Sequence, residues 1–175
     1  MSDTPGWLVV IDAQRIFADP ATSQWGSPMW AEVVPRVREL VAAYGAKVVF
    51  TRFVADPHPQ GSWEPYYQAW PFAQVPDEDP LYQIVPELAD LPDEVVTAHT
   101  FGKWNADLRA VVGDRPTVTL AGVATDCCVI STALAAADGG ATVRVAADAC
   151  AGSTPENHHR ALEAMALFGP QITIV

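Results

Sequence analysis

Three kinds of side chain in this sequence could together make a nucleophilic site: a carboxylate at Asp12, an ammonium at Lys103, and a thiol at Cys127 or Cys128. A thiolate attacks, a carboxylate takes the thiol's proton, and a cation holds the thiolate charge. An ordinary aspartate has a pKa well below a thiol's, so the transfer requires burial and the Lys103 charge to bring the two closer. Both thiols lie in Gly122-Val123-Ala124-Thr125-Asp126-Cys127-Cys128-Val129. The apolar run Val118 to Ala121 enters this block and an alanine-rich run to Ala137 leaves it, which predicts a strand, a tight turn and a helix start. A thiol on a helix's first turn lies near free backbone N–H groups and the positive end of the helix dipole. The same N–H groups could hold a developing oxyanion. Cysteine also packs as a small hydrophobe, and the address at the carboxyl end of a parallel strand is what favours chemistry here.

The elements that must position these groups alternate along the chain. Trp7 to Ile11 is a continuous apolar run ending at Asp12, the pattern of a strand buried on both faces. Ser27-Pro28 caps a predicted helix to Tyr44, stopped by Gly45, and Lys47 to Arg52 is a second strand. The proline-rich residues 53 to 80 hold Trp63, Tyr66, Tyr67, Trp70 and Phe72, with a short helix predicted over Glu64 to Trp70. Strands follow at Glu94 to His99, Pro116 to Ala121, Thr142 to Ala147 and Ile172 to Val175. Helices are predicted from an Asn105 cap to Val112, over Asp126 to Asp138, and from a Ser153-x-x-Glu156 capping box to Phe168. Six strands with crossovers predict an α/β fold, a Rossmann-like three-layer arrangement with a mainly parallel sheet and helices on both faces. In such a sheet Asp12, Lys103 and Cys128 all follow strand ends and share one crevice.

At 175 residues the chain is expected to form one domain, residues 1–175. A net charge of −11 argues against nucleic-acid partners and anionic membrane surfaces. Three cysteines, two of them adjacent, make a poor disulfide framework and, with no signal-peptide pattern, point to the cytoplasm. No apolar run is long enough for a bilayer span. Glycine-rich nucleotide loops and the Gly-x-Ser-x-Gly elbow are missing, so no cofactor is expected. His158 and His159 are helix neighbours about 100° apart and read as solvated surface rather than a metal pair.

Val9-Val10-Ile11-Asp12-Ala13-Gln14-Arg15-Ile16-Phe17, then Lys103 in Phe101-Gly102-Lys103-Trp104, then the 122–129 block resemble, in order, three signatures of the isochorismatase-like cysteine hydrolases. The resemblance spans essentially the whole chain. It implies that Cys128, which directly precedes the valine, is the nucleophile, with Asp12 and Lys103 as its catalytic partners. It also implies a cis Val123–Ala124 peptide that aims the Ala124 and Cys128 amides at one oxyanion. The implied reaction is hydrolysis of an amide, carbamoyl or related C–N bond through a thioester. The residues after Lys103 depart from the family's usual serine or tyrosine followed by phenylalanine. The nicotinamidase branch carries an Asp, His, His metal set near the second strand; here Asp56 and His58 lack the second histidine, so no metal is expected. Two other readings remain: a catalytically idle ligand-binding domain of this fold, and a thiol redox protein using Cys127 and Cys128.

The aromatic segment is too concentrated for ordinary loop residues and is expected to close over the Cys128 crevice and pack against a second subunit. Trp63 and Trp70, with Phe17 and Trp104, are the candidates for the substrate-binding wall. Family members are commonly oligomeric, so a homo-oligomer, dimer or tetramer, is expected.

Overall fold

The computed structural model describes residues 6–175. Its strands are β1 (Trp7–Ile11), β2 (Val48–Phe53), β3 (Val95–Ala98), β4 (Thr117–Val123), β5 (Thr142–Ala151) and β6 (Ile172–Ile174). Its helices are α1 (Arg15–Ala18), α2 (Trp30–Tyr44), α3 (Trp63–Ala69), α4 (Ala106–Val112), α5 (Ile130–Asp138) and α6 (Pro155–Ala166). The six strands form one sheet in the order β3-β2-β1-β4-β5-β6, and every pairing is parallel. The sheet is all parallel rather than mainly parallel. No helix among the described residues is long and apolar enough to cross a membrane.

Alternation along the strands divides the core in two. Leu8 and Val10 point to a layer with α1, α2 and the aromatic segment, whereas Val9 and Ile11 point to a layer with α4, α5 and α6. Both faces of β1 are therefore buried, which is why its sequence is continuously apolar. Strand order reverses between β1 and β4, and the crevice beyond their carboxyl ends is where ligands bind in open α/β sheets.

Four local expectations are corrected. Residues 126–138 are not one α-helix: Thr125–Val129 forms a wider π-type turn before α5. In it the Cys127 and Val129 N–H groups both bond the Ala124 carbonyl, at 3.0 and 3.1 Å. β5 runs on to Ala151, because its register shifts between Leu120 and Gly122 and pairing resumes at Gly122–Cys150. α6 is capped by Thr154, whose hydroxyl accepts from Asn157 N at 3.1 Å, while Ser153 is drawn off by Asp126. α2 begins at Trp30 with Met29 in the cap position. Ser27 Oγ accepts from Met29 N and donates to the Gly152 carbonyl, at 3.2 and 2.5 Å.

Candidate active site

Asp12 ends β1 fully buried and in the left-handed region, with φ 42°. Thr51 of β2 fixes it from the side: its hydroxyl accepts from Asp12 N at 3.1 Å and donates to Asp12 Oδ1 at 2.6 Å. Gln14, also fully buried, ties the following turn down by donating to the carbonyls of Phe53 and Tyr82 and accepting from Phe53 N. Across from Asp12, Gly122 adopts φ 114°, and a Cβ there would lie 2.1 Å from the Ile11 carbonyl oxygen. Only glycine lets β4 pass this close to the end of β1.

Lys103 approaches from the loop after β3 with its side chain fully buried. Its Nζ lies 2.8 Å from Asp12 Oδ2 and donates to the carbonyls of Thr100 and Phe101 at 2.5 and 2.9 Å. Two carbonyls and one carboxylate thus surround the ammonium. Burial alone would pull the Lys103 pKa down, but the Asp12 carboxylate, and then Cys128, outweigh it and the pKa is raised. The ammonium is thus a fixed positive charge at the crevice floor. Lys103 N is held by Thr132 Oγ1 at 2.9 Å, and that hydroxyl in turn donates to the Cys128 carbonyl at 2.7 Å.

The two thiols sit on the π-type turn above this pair. Cys128 is buried and Cys127 partly exposed. Each is the largest influence on the other: the neighbouring thiol lowers the Cys127 pKa and, with burial, raises that of Cys128 well above the usual thiol value. Lys103 opposes the rise at Cys128, and it interacts more strongly with Cys128 than with Cys127. The Val123–Ala124 peptide that precedes the turn is cis.

Both thiols line a cavity of about 190 Å³ together with Phe17, Trp25, Tyr66, Phe101, Ala124, Asp126 and Ser153. A larger cleft of about 430 Å³, lined by Arg15, Trp30 and Glu87 among others, contains none of Asp12, Lys103 and Cys128. Of the aromatic residues expected in the wall, Phe17 is there. Trp63 stands one layer back, its ring 4.9 Å from Phe101, and Trp70 packs on Trp25 at 5.9 Å. Trp104 is on the far side, with its indole against Gly139 at the end of α5. The departure from the family pattern after Lys103 thus falls outside the pocket. Two wall residues were not assigned from the sequence: Trp25, which had no signal, and Phe101, which stood in the Lys103 signature without a role. Trp25 is a hub, touching Phe17, Tyr66, Trp70 and Phe72.

His158 is not solvated surface. Only 6% exposed, it places Nδ1 2.8 Å from the hydroxyl of Thr125 on the π-type turn. α6 starts against that turn, so its first inward-facing side chain is buried there, while His159 is exposed. Burial, and then His159, depress the His158 pKa.

The isochorismatase domain model matches residues 6–174, from the start of β1 to the end of β6. The chain belongs to the isochorismatase domain family. It is a hydrolase of that family, and the Asp12, Lys103 and Cys128 constellation lies inside the matched region. Solved structures of similar shape include a cysteine hydrolase from Pseudomonas syringae, 19% identical, covering 97% of this chain and 88% of that one with a TM-score of 0.81. A nicotinamidase from Bacillus subtilis is 21% identical over 96% and 98% of the two chains, with a TM-score of 0.75. The pyrazinamidase of Pyrococcus horikoshii, solved in complex with zinc, is 26% identical over 97% and 98%, with a TM-score of 0.73. No curated protein sequence matches significantly. In this isochorismatase-family chain no group of three His, Cys, Asp or Glu among the described residues is placed to hold a metal ion. Asp56 and His58 form a turn, with Asp56 Oδ1 accepting from His58 N at 2.8 Å. Two candidate donors do not fit a zinc site, which needs three or four protein ligands.

Proposed function

We propose that this chain hydrolyses an amide, carbamoyl or related C–N bond of a small molecule through a thioester on Cys128. The observation that supports this most directly is the fully buried Asp12–Lys103 pair beside a thiol that faces a cavity. Asp12 Oδ2 accepts no hydrogen bond beyond its contact with Nζ, so a lone pair remains for the thiol proton. Asp12 takes that proton while Lys103 holds the thiolate charge, and sulfur attacks the carbonyl carbon. The oxyanion is assigned to the Ala124 and Cys128 amides. As the C–N bond breaks, Asp12 returns the proton to the leaving nitrogen. Water, deprotonated by Asp12, then cleaves the thioester, releasing the acid and restoring the thiol. Cys127 is the more exposed and more acidic thiol, but Cys128 is the one more strongly coupled to Lys103.

The likeness to nicotinamidase and pyrazinamidase structures supports an amide bond as the target. The pocket's aromatic walls suit a flat or apolar acyl group. The three free cysteines suit a reducing cytoplasm. A homo-oligomer is proposed on the exposed aromatic side chain of Trp70. The deciding experiment is mass spectrometry of the intact protein after exposure to a panel of small amides. An acyl adduct mapped to Cys128 is expected; an adduct on Cys127, or turnover with no adduct on either thiol under rapid quench, would overturn the mechanism.

A further inference from the structure

We infer that the pocket selects substrates by charge, preferring small amides that bear a cationic group and rejecting those that bear a carboxylate. This deepens the amidase reading of the same site. Four aromatic residues, Phe17, Trp25, Tyr66 and Phe101, form the walls, and among the described lining residues the one charged side chain is Asp126. Lys103, the cation at the floor, is fully buried, ion-paired with Asp12 and bonded to two carbonyls, so it is not free to pair with a substrate anion.

Asp126 is built into place. Ser153 N donates to Oδ1 at 2.8 Å and Ser153 Oγ to Oδ2 at 2.6 Å, while Asn157 Nδ2 braces that hydroxyl at 2.9 Å. Two accepted bonds leave lone pairs on both oxygens for a substrate donor. Aromatic faces beside a carboxylate attract ammonium groups through their negative quadrupole as well as through the charge. A substrate carboxylate in the same space would meet Asp126 without any free cation to pair with. At about 190 Å³ the cavity is below the roughly 300–1,000 Å³ of drug-sized sites, so it takes little more than one ring. The charged group of such a substrate therefore lies near the Asp126 carboxylate.

The test compares ammonia release by the full chain from three amides of one shape: 3-(aminomethyl)benzamide, benzamide and 3-carboxybenzamide. The expected order of kcat/KM is cationic, neutral, anionic, with at least about a tenfold span carried by KM, the scale of one close charge pair. Asp126→Asn compresses that span. A flat or reversed order in the wild-type chain overturns the inference. A second measurement needs no turnover. Alkylation of the pocket thiols by iodoacetate and by iodoacetamide is timed, each rate divided by that for free cysteine. The normalised iodoacetate rate is expected to be the lower, by about fivefold or more, and equal rates overturn the charge selection. If none of the three amides releases ammonia, these amides give the amidase reading no support, and the alkylation ratio decides the pocket's charge preference by itself.

Discussion

Cys127 and Cys128 are adjacent, yet their surroundings differ enough to give them different tasks. Neighbours on a helical turn point in different directions, and here one is buried beside Lys103 and the other partly exposed, although both line the cavity. Cys128→Ala is expected to abolish turnover and leave the melting temperature within a few degrees of wild type, whereas Cys127→Ala keeps most activity. Because the neighbouring Cys127 thiol is the largest influence raising the Cys128 pKa, Cys127→Ala should also shift the pH profile of Cys128 alkylation to lower pH. An unshifted profile would show that the thiol pair is not coupled in solution. Lys103→Met works the other way. It removes the charge that lowers the Cys128 pKa and strands a buried carboxylate, so alkylation at neutral pH slows and stability falls by roughly 3–5 kcal/mol, read by denaturant melts. Thr51 has two hydrogen bonds to Asp12 and no other marked role. Thr51→Val should lower kcat more than it raises KM, and a change in KM alone would make Thr51 mere packing.

Among the elements, the π-type turn is where the site is assembled, and α6 is its prop. His158, from the first turn of α6, holds Thr125 in that turn, and its ring is faced by His159 and by Asp126. Burial lowers its pKa below the ordinary 6.5, so the folded state prefers the neutral ring. The stability this gives is present above pH 6.5 and is lost as pH falls through that value toward the lower folded pKa. Melting temperature should therefore drop more between about pH 7.5 and 5.5 in wild type than in His158→Gln. Equal slopes would remove His158 from the account. None of this was legible in the sequence. Adjacent histidines on a helix show the angle between them but not which neighbour buries one, and the apolar pattern after Cys128 suits α and π turns alike. The strands, by contrast, were legible because β1 and β4 are buried on both faces and spell that out as unbroken apolar runs. Asp12, Lys103 and Cys128 were legible as residues just past strand ends. Thr51, Trp25 and Phe101 were not, since they reach the site through long-range packing that no local pattern encodes.

For the molecule as a whole, the strand order β3-β2-β1-β4 brings chain segments from residues 12, 51, 103 and 128 to one edge. Asp12, Lys103 and Cys128 of the proposed site all come from one copy of the chain. The aromatic segment supports assembly less broadly than its composition suggests: Tyr67 is buried and Trp63, Tyr66 and Phe72 are partly covered, and Trp70, at 36%, is the most exposed. Light scattering at micromolar concentration is expected to give a dimer or larger species. A monomer there would sink the oligomer proposal and leave the segment as a wall and satellite core of its own subunit. Trp70→Ala then divides the remaining roles, because an interface residue changes the mass and a wall support changes KM.

The left-handed backbone at Asp12 bears on which substitutions can be interpreted at all. Most residues resist φ 42°, whereas Asn and Asp tolerate it. Asp12→Asn therefore keeps the conformation while removing the proton acceptor, and its expected loss of at least roughly 10²-fold in rate isolates the chemistry. Asp12→Ala or Asp12→Val would add a backbone penalty of order 1–3 kcal/mol to the same loss. In a library scan of this position, inactive variants would thus fall into two populations. One is soluble and silent, populated by Asn; the other is depleted before it can be assayed.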